Sequence, residues 1–187
     1  MSYQFLHHSP LGDLVVTLAG GCITCCRWQV LETVAAGCPS AGAVVAGGVV
    51  ELSAVCADPS AADIALEEKV HRQFDEYFSR RRTEFSLPVR FEGTPFRCRV
   101  WELLREIPCG QTVSYRTLAE RAGNVRAVRA VAQACHFNPV AVIVPCHRVI
   151  GADGSLTGYA AGLDRKRNLL ELEGALPGSI LRPHAGG

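Results

Sequence analysis

Val140-Ala141-Val142-Ile143-Val144-Pro145-Cys146-His147-Arg148-Val149-Ile150 is the stretch around which the chain is organised. Its first five residues are small or β-branched and predict a buried strand or an extended segment packed inside a domain. Pro145 ends any regular ladder, because it has no N–H to donate. A thiol, an imidazole and a guanidinium follow at once. A cysteine at the mouth of a rigid buried segment, with a base and an anion binder beside it, is a sensible way to present a nucleophile. The plainer reading is that free cysteine usually behaves as a small buried hydrophobe, and this chain holds nine of them. Adjacent strand residues also face opposite sides. His147 therefore reaches Cys146 only through a bend at the proline or a bridging water.

Upstream of this stretch the helix signals are sharp. Thr94-Pro95 predicts an N-cap with proline at the first helical position, and a helix to about Glu106 that buries Phe96, Val100, Trp101 and Leu104. Ser114 is expected to cap Tyr115 to about Arg121, which Ala122-Gly123 closes. Asn124 is expected to cap a third helix, Val125 to about Phe137. Two helices joined by a tight glycine turn have the outline of a helix-turn-helix. Arg126 and Arg129 lie on the second of them among small residues, which permit close approach either to a DNA groove or to another helix. Downstream, glycines at 151, 154, 158 and 162 read as a turn and a short wing. Asp164 is then expected to cap a helix from Arg165 to about Glu173.

The first half is less informative. Tyr3 to His7, Asp13 to Leu18 and Ile23 to Val30 read as strands separated by turns at Ser9-Pro10-Leu11-Gly12 and Ala19-Gly20-Gly21. Residues 35–60 read as a long loop, with a short strand near Val49 to Ala54. Ser60 opens a helix through about Phe78, with Ile64, Val70, Phe74, Tyr77 and Phe78 as its apolar stripe. Arg80-Arg81-Arg82 reads as a solvated helix end. The expected organisation is an α/β N-terminal domain over residues 1–90, a small antiparallel sheet plus a helix. A mainly α, winged helix-turn-helix domain follows over residues 91–176, then a flexible tail at 177–187.

Composition sets limits on these readings. A chain of 187 residues that is 48% hydrophobic can bury a real core in one or two domains. Met1 to Pro10 lacks the pattern of a signal peptide, and no apolar run approaches a membrane span. An odd number of cysteines without even spacing argues for free thiols in a reducing compartment, the cytoplasm or a eukaryotic nucleus. Cys22-x-x-Cys25 with Cys26 invites a metal reading, to which His7, His8 and Cys38 could contribute. A closed zinc site commonly needs two paired ligand clusters, and no second pair appears, so buried thiols are the expected reading. Net charge is +1 overall, but residues 1–90 carry −3 and residues 91–187 carry +4. All basic residues of the second half except Lys166 are arginine, whose planar fork suits phosphate. The asymmetry is consistent with nucleic-acid binding by that half.

Asn138-Pro139-Val140, then Pro145-Cys146-His147-Arg148-Val149-Ile150, then Gly154-Ser155-Leu156-Thr157-Gly158-Tyr159 together resemble the O6-alkylguanine-DNA alkyltransferases, suicidal DNA-repair proteins. The resemblance is specific over about residues 94–174. It implies direct reversal of damage. An alkyl group, chiefly methyl, passes irreversibly and stoichiometrically from O6-alkylguanine in duplex DNA, and less well from O4-alkylthymine, to Cys146 by base flipping. It implies that His147 helps deprotonate Cys146 through a water, that Glu173 orients His147, and that a carboxylate there raises the imidazole's basicity. It further implies that Tyr115 helps rotate the nucleotide and donates toward the guanine ring. Arg129 would fill the vacated stack, Asn138 tie the helix-turn-helix to the acceptor loop, and Asn124 contact the DNA backbone. Val149, Tyr159 and Ala160 would line the guanine pocket, with Cys135 as a further lining residue and a weaker second acceptor. No cofactor is implied, and a monomer is expected. Some members carry a structural zinc in the first domain, but the His-containing part of that pattern is missing here.

Two departures stand out. Ala160-Ala161-Gly162 replaces the family's usual pair of glycines, and the extra methyl at Ala161 is expected to narrow the pocket. Cys135 and His136 occupy helix positions that usually hold apolar or basic residues. Rival readings are a damage-flagging protein that lacks the acceptor, a Cys–His hydrolase, and a plain winged-helix regulator. The first conflicts with the presence of Cys146. The second needs an oxyanion hole that nothing in the sequence indicates. The third leaves the Cys-His pair unexplained.

Overall fold

Residues 2–29 and 59–176 are described by the computed structural model. The expected strand near Val49–Ala54, most of the loop over 35–60, and the tail at 177–187 lie outside the described residues. Three antiparallel strands open the chain in the order β1 (Tyr3–His7), β2 (Leu14–Ala19) and β3 (Cys22–Trp28). Alternation puts Phe5 and His7 of β1, and Leu14, Val16 and Leu18 of β2, on the buried face. Gly20 and Gly21 turn the second hairpin with φ of 59° and 71°, a two-residue geometry that a Cβ disfavours. A register shift beside Thr17 and Leu18 leaves Thr24 unpaired. That extra residue changes the phase of β3, so Ile23, Cys26 and Trp28 are all buried.

The free edge of β3 is covered by two short segments from later in the chain. Ile23 N donates to Pro88 O at 2.8 Å and Arg90 N to Ile23 O at 3.0 Å. Cys26 N donates to Pro139 O, and Ala141 N to Cys26 O, both at 2.8 Å. The N-terminal sheet thus holds the backbone that leads into Cys146.

Helix α1 (Ala61–Phe78) starts in a capping box, in which the Ser60 side chain accepts from Asp63 N while the Asp63 carboxylate accepts from Ser60 N. Its buried face is Leu66, Val70, Gln73, Phe74 and Tyr77. The expected stripe is corrected at one position: Ile64 is 45% exposed. It lies two residues, about 200° around the helix, from Leu66 and so faces away. Helix α2 (Pro95–Arg105) follows its Thr94 cap, and Trp101 Nε1 donates to Ala134 O at 2.8 Å.

Ser114 caps α3 (Tyr115–Arg121). The expected single helix from Val125 is instead a 3₁₀ turn, Val125–Ala127, followed by α4 (Val128–His136). Asn124 Oδ1 accepts from Arg126 N at 3.0 Å and winds that first turn tightly. Strands β4 (Val113–Ser114) and β5 (Val149–Ile150) pair in parallel, and α5 (Leu163–Leu172) closes the chain. Its cap is Gly162, not the expected Asp164, which sits in the first turn. One buried cluster runs through both halves, from Leu14 and Phe74 to Leu104, Val131 and Leu169.

His7 joins the sheet to α1. Its Nδ1 lies 2.8 Å from Nδ1 of His71, with one ring donating to the other. Burial, then the neighbouring His71, holds the His7 pKa down to about 4. The unfolded chain therefore binds more protons between that value and an ordinary histidine pKa. Stability should be full above about pH 6.5 and fall toward pH 4, by on the order of 3 kcal/mol. Urea unfolding across this range should show a flatter pH dependence for His7→Phe than for the wild type. An unchanged slope would place the acid sensitivity elsewhere.

Candidate functional site

The run Val140–Val144 does not form the expected strand. Only Val140 bridges β3. The chain then closes on itself, with Ile143 N donating to Ala141 O at 2.8 Å and Val144 N to Val140 O at 3.0 Å. Val142 sits at φ 69°, which costs a β-branched residue on the order of 1–3 kcal/mol. Asn138 holds this buried turn from the side. Its Oδ1 accepts from Val140 N at 3.1 Å, and its Nδ2 donates to Val144 O at 2.8 Å. After Pro145 the chain enters a 3₁₀ turn, Cys146–Arg148, so the strand geometry that separated Cys146 from His147 does not apply.

Cys146 is 6% exposed, and its Sγ accepts from Asn138 Nδ2 at 3.2 Å. Burial pushes its thiol up, while the Asn138 hydrogen bond and the charge of Lys166 oppose that rise. His147 Nε2 lies 2.9 Å from Glu173 Oε1. An ionised carboxylate only accepts, so Nε2 carries the hydrogen and Nδ1 carries the lone pair. Nδ1 is buried and has no hydrogen-bond partner among the described residues. The Glu173 carboxylate raises the imidazole's basicity, as expected, but burial outweighs it and, with the charges of Arg148 and Lys166, leaves the ring below its ordinary pKa.

The side chain of Glu173 is itself 1% exposed. Besides His147, it accepts from Arg148 Nε and Nη2 at 2.8 Å each and from Tyr77 Oη at 2.6 Å. Burial alone would raise its carboxyl, but His147 and Arg148 hold it well below the usual carboxylate range. Arg148 also donates to Ile107 O at 2.5 Å.

Lys166 is fully buried, and its Nζ donates to Val149 O and Thr157 O at 2.6 Å each. Burial lowers its pKa, and Cys146 and Cys135 are the thiols that feel its charge. Lys166 therefore ties β5 to the 151–162 loop and adds positive potential beside the buried thiols. The sequence reading gives Lys166 no place in the site, takes Arg148 only as an anion binder and Tyr77 only as part of the α1 apolar stripe. The spacing Lys166, Leu169, Leu170, Glu173 is one helical face, and it could have placed the lysine inside.

Tyr115 opens α3, and its hydroxyl lies within hydrogen-bond distance of Thr157 O (3.1 Å) and Gly158 O (3.2 Å). A Cβ at Gly158 would come within 3.2 Å of that hydroxyl, and φ there is 56°. Burial, then the Cys135 and Cys146 thiols, pushes the Tyr115 phenol up to about 12. Val149 is buried behind this loop, Tyr159 is half-buried and Ala160 exposed. Trp28 Nε1 donates to Tyr159 Oη at 3.2 Å. Arg165 donates to Leu11 O and Ala161 O, so the N-terminal half anchors the loop at its far end. Cys135 is buried, with its thiol pushed far up by burial and then by Cys146.

The structure thus gathers Cys146, Asn138, His147, Glu173, Tyr115, Val149, Tyr159 and Cys135 around one point. Asn124 and Arg129 stand apart on the exposed face of the 3₁₀ turn and α4, next to Arg126. Among the described residues, no three His, Cys, Asp or Glu side chains form a group able to hold a metal. Cys38 lies outside them.

Residues 95–175 match the family described as 6-O-methylguanine DNA methyltransferase, DNA binding domain. The chain is 52% identical over 104 residues to the methylated-DNA–protein-cysteine methyltransferase of Methanosarcina acetivorans, an alignment covering 56% of this chain and 67% of the relative. It is 47% identical over 117 residues to the bifunctional transcriptional activator/DNA repair enzyme Ada of Escherichia coli. That alignment covers 63% of this chain but only 33% of Ada. The crystal structure of Mycobacterium tuberculosis OGT in complex with DNA superposes with a TM-score of 0.72 at 37% identity, covering 93% of this chain and 92% of that one.

Asn138 both braces the turn and donates to the thiol. Asn138→Ala should cost about 1–3 kcal/mol of stability in thermal or urea unfolding. It should also move the pH profile of Cys146 alkylation by iodoacetamide, read by peptide mapping, to higher pH. A stability loss without that move would leave the asparagine a purely structural brace.

Proposed function

Since the chain belongs to the O6-methylguanine-DNA methyltransferase family, we propose that it repairs O6-alkylguanine in DNA by taking the alkyl group, chiefly methyl, onto Cys146. The observation that carries this reading is a buried thiol next in the chain to a buried imidazole whose Nδ1 has no hydrogen-bond partner among the described residues. A thiolate is the competent nucleophile, and the buried site disfavours it at rest. Deprotonation is then coupled to binding of the lesion. His147 takes the thiol proton, through a water, onto the free lone pair. Sγ attacks the alkyl carbon as the bond from that carbon to O6 breaks. The electron pair left on guanine is met by the Tyr115 hydroxyl, and the proton held on His147 restores neutrality. The product thioether has no route back, so each molecule acts once. O4-alkylthymine would fit the same step less well, and no cofactor enters the balance.

The α3–α4 pair is proposed to be a helix-turn-helix with α4 in the groove, and the 151–162 loop its wing. Residues 91–176 would form the DNA-facing unit and residues 1–90 its support. Arg129 would fill the stack vacated by the flipped base, and Asn124 would contact the backbone. Val149, Tyr159 and Ala160 would border the guanine, with the Ala161 methyl narrowing the entrance. Cys135 would line the pocket as a second, weaker acceptor, its thiol pushed far up by burial and then by Cys146. The protein would act as a monomer where DNA is reached, in the cytoplasm or a nucleus. No helix among the described residues is long and apolar enough to cross a membrane.

Incubation with duplex DNA carrying O6-methylguanine should add the mass of one methylene per molecule, mapped to Cys146 and absent in Cys146→Ser. Tight binding to the lesion without mass gain would make the protein a damage-recognition factor instead. Arg129→Ala should slow single-turnover transfer in duplex DNA by roughly tenfold, the kinetic equivalent of about 1.4 kcal/mol of lost flipping support. Transfer from the same lesion in a single strand should suffer less. Equal losses on both substrates would remove Arg129 from the flipping step.

A further inference from the structure

Glu173 Oε1 accepts three hydrogen bonds at once, from Tyr77 Oη at 2.6 Å, Arg148 Nη2 at 2.8 Å and His147 Nε2 at 2.9 Å. The shortest comes from the last turn of α1, in the other half of the chain. We propose that Tyr77 is a positioning residue for the Cys146–His147–Glu173 relay. By donating to the same carboxylate oxygen as His147, it draws charge away from the imidazole and keeps His147 neutral with its Nδ1 lone pair free. This rests on alkyl transfer through His147 as proposed above.

The physical basis is competition for one oxygen. A carboxylate oxygen that is already the acceptor of a guanidinium and a phenol has less charge left to stabilise an imidazolium. Tyr77 is 2% exposed, and burial followed by Glu173 pushes its phenol well above its ordinary range, so it is a permanent donor. The groups facing His147 are Glu173, Arg148 and Lys166, and of these only Glu173 favours the charged ring. Whatever weakens Glu173 as a charge therefore lowers the basicity of His147. The groups facing Tyr77 are Glu173, Arg148 and Cys109. A cleft of about 170 Å³ borders Glu173, lined also by Tyr77, Arg80, Arg82 and Cys109. Cys109 adds no competing charge, because burial and then Glu173 raise its thiol.

Tyr77→Phe keeps the ring and removes the donor. The test pairs two readouts: nitrogen-15 NMR titration of histidine-labelled resting protein, and the pH dependence of single-turnover transfer from O6-methylguanine in duplex DNA. The wild type should show His147 neutral, with hydrogen on Nε2, at neutral pH, and a midpoint below that of an ordinary histidine. In Tyr77→Phe the His147 midpoint and the acid limb of transfer should both rise by about half a pH unit or more, roughly a threefold slower rate on that limb. Tyr77→Leu should move the limb in the same direction, whatever its loss of thermal stability. A folded Tyr77→Phe with both readouts unmoved would overturn the proposal. If that variant does not fold, Tyr77→Met, which keeps apolar volume and also removes the donor, decides: a His147 midpoint unmoved from the wild type's would overturn the proposal, and a raised one would sustain it. The imidazole titration needs no transfer. A protein that accepts no methyl group therefore refutes the function, while the titration still judges Tyr77.

Discussion

The carboxylate of Glu173 is the constraint on which the site depends. An isolated ion at 1% exposure would cost several kcal/mol to bury. It is held because Arg148 supplies the opposite charge through two hydrogen bonds and the remaining lone pairs are met by His147 and Tyr77. These contacts join α1, the 3₁₀ turn at Cys146 and the end of α5. Arg148 extends the network to the α2–β4 connection through Ile107 O. The ion pair does no chemistry itself. It fixes which nitrogen of His147 carries hydrogen, and so which one is left free to take a proton.

A second buried charge is treated differently. Lys166 rests on two carbonyl oxygens, Val149 O and Thr157 O. Carbonyl dipoles compensate a buried ammonium only in part, so its pKa falls while its field still reaches Cys146. The same contacts hold the 151–162 loop onto β5, where Tyr115 also meets it. Cation, loop and tyrosine are thus one unit above the thiol. On the other side, Cys26 of β3 brackets Pro139 and Ala141, so the N-terminal sheet sets the approach of the acceptor segment.

Much of this was legible as local chemistry. The caps at Ser60, Thr94 and Ser114 and the glycine hairpin at Gly20-Gly21 are where short-range rules place them. Cys146, His147, Glu173, Asn138 and Tyr115 could be picked out because one motif spaces them, and the fold brings them around one point. The misreadings share a cause. Val140–Val144 has the composition of a strand, but no neighbouring strand continues alongside it beyond Cys26. Asn138 then satisfies its carbonyl and amide groups within a turn. Asn124 likewise rewound the start of α4 through a side-chain bond. The carboxylate beside the imidazole does raise its basicity, but burial and the charges of Arg148 and Lys166, not visible from spacing, set the net direction downward.

By itself, the sequence determined the order of the first three strands and the main helices, most caps and turns, and a Cys-His motif within a recognisable family pattern, because these rest on interactions between residues a few positions apart. The tertiary structure alone decided which buried groups share a carboxylate, that Lys166 lies inside rather than at the surface, and that Tyr77 of the first half touches the relay of the second. Those outcomes depend on desolvation and on contacts between residues far apart in the chain. Each is a balance between the cost of burying a charge and the partners that folding happens to bring within 3 Å.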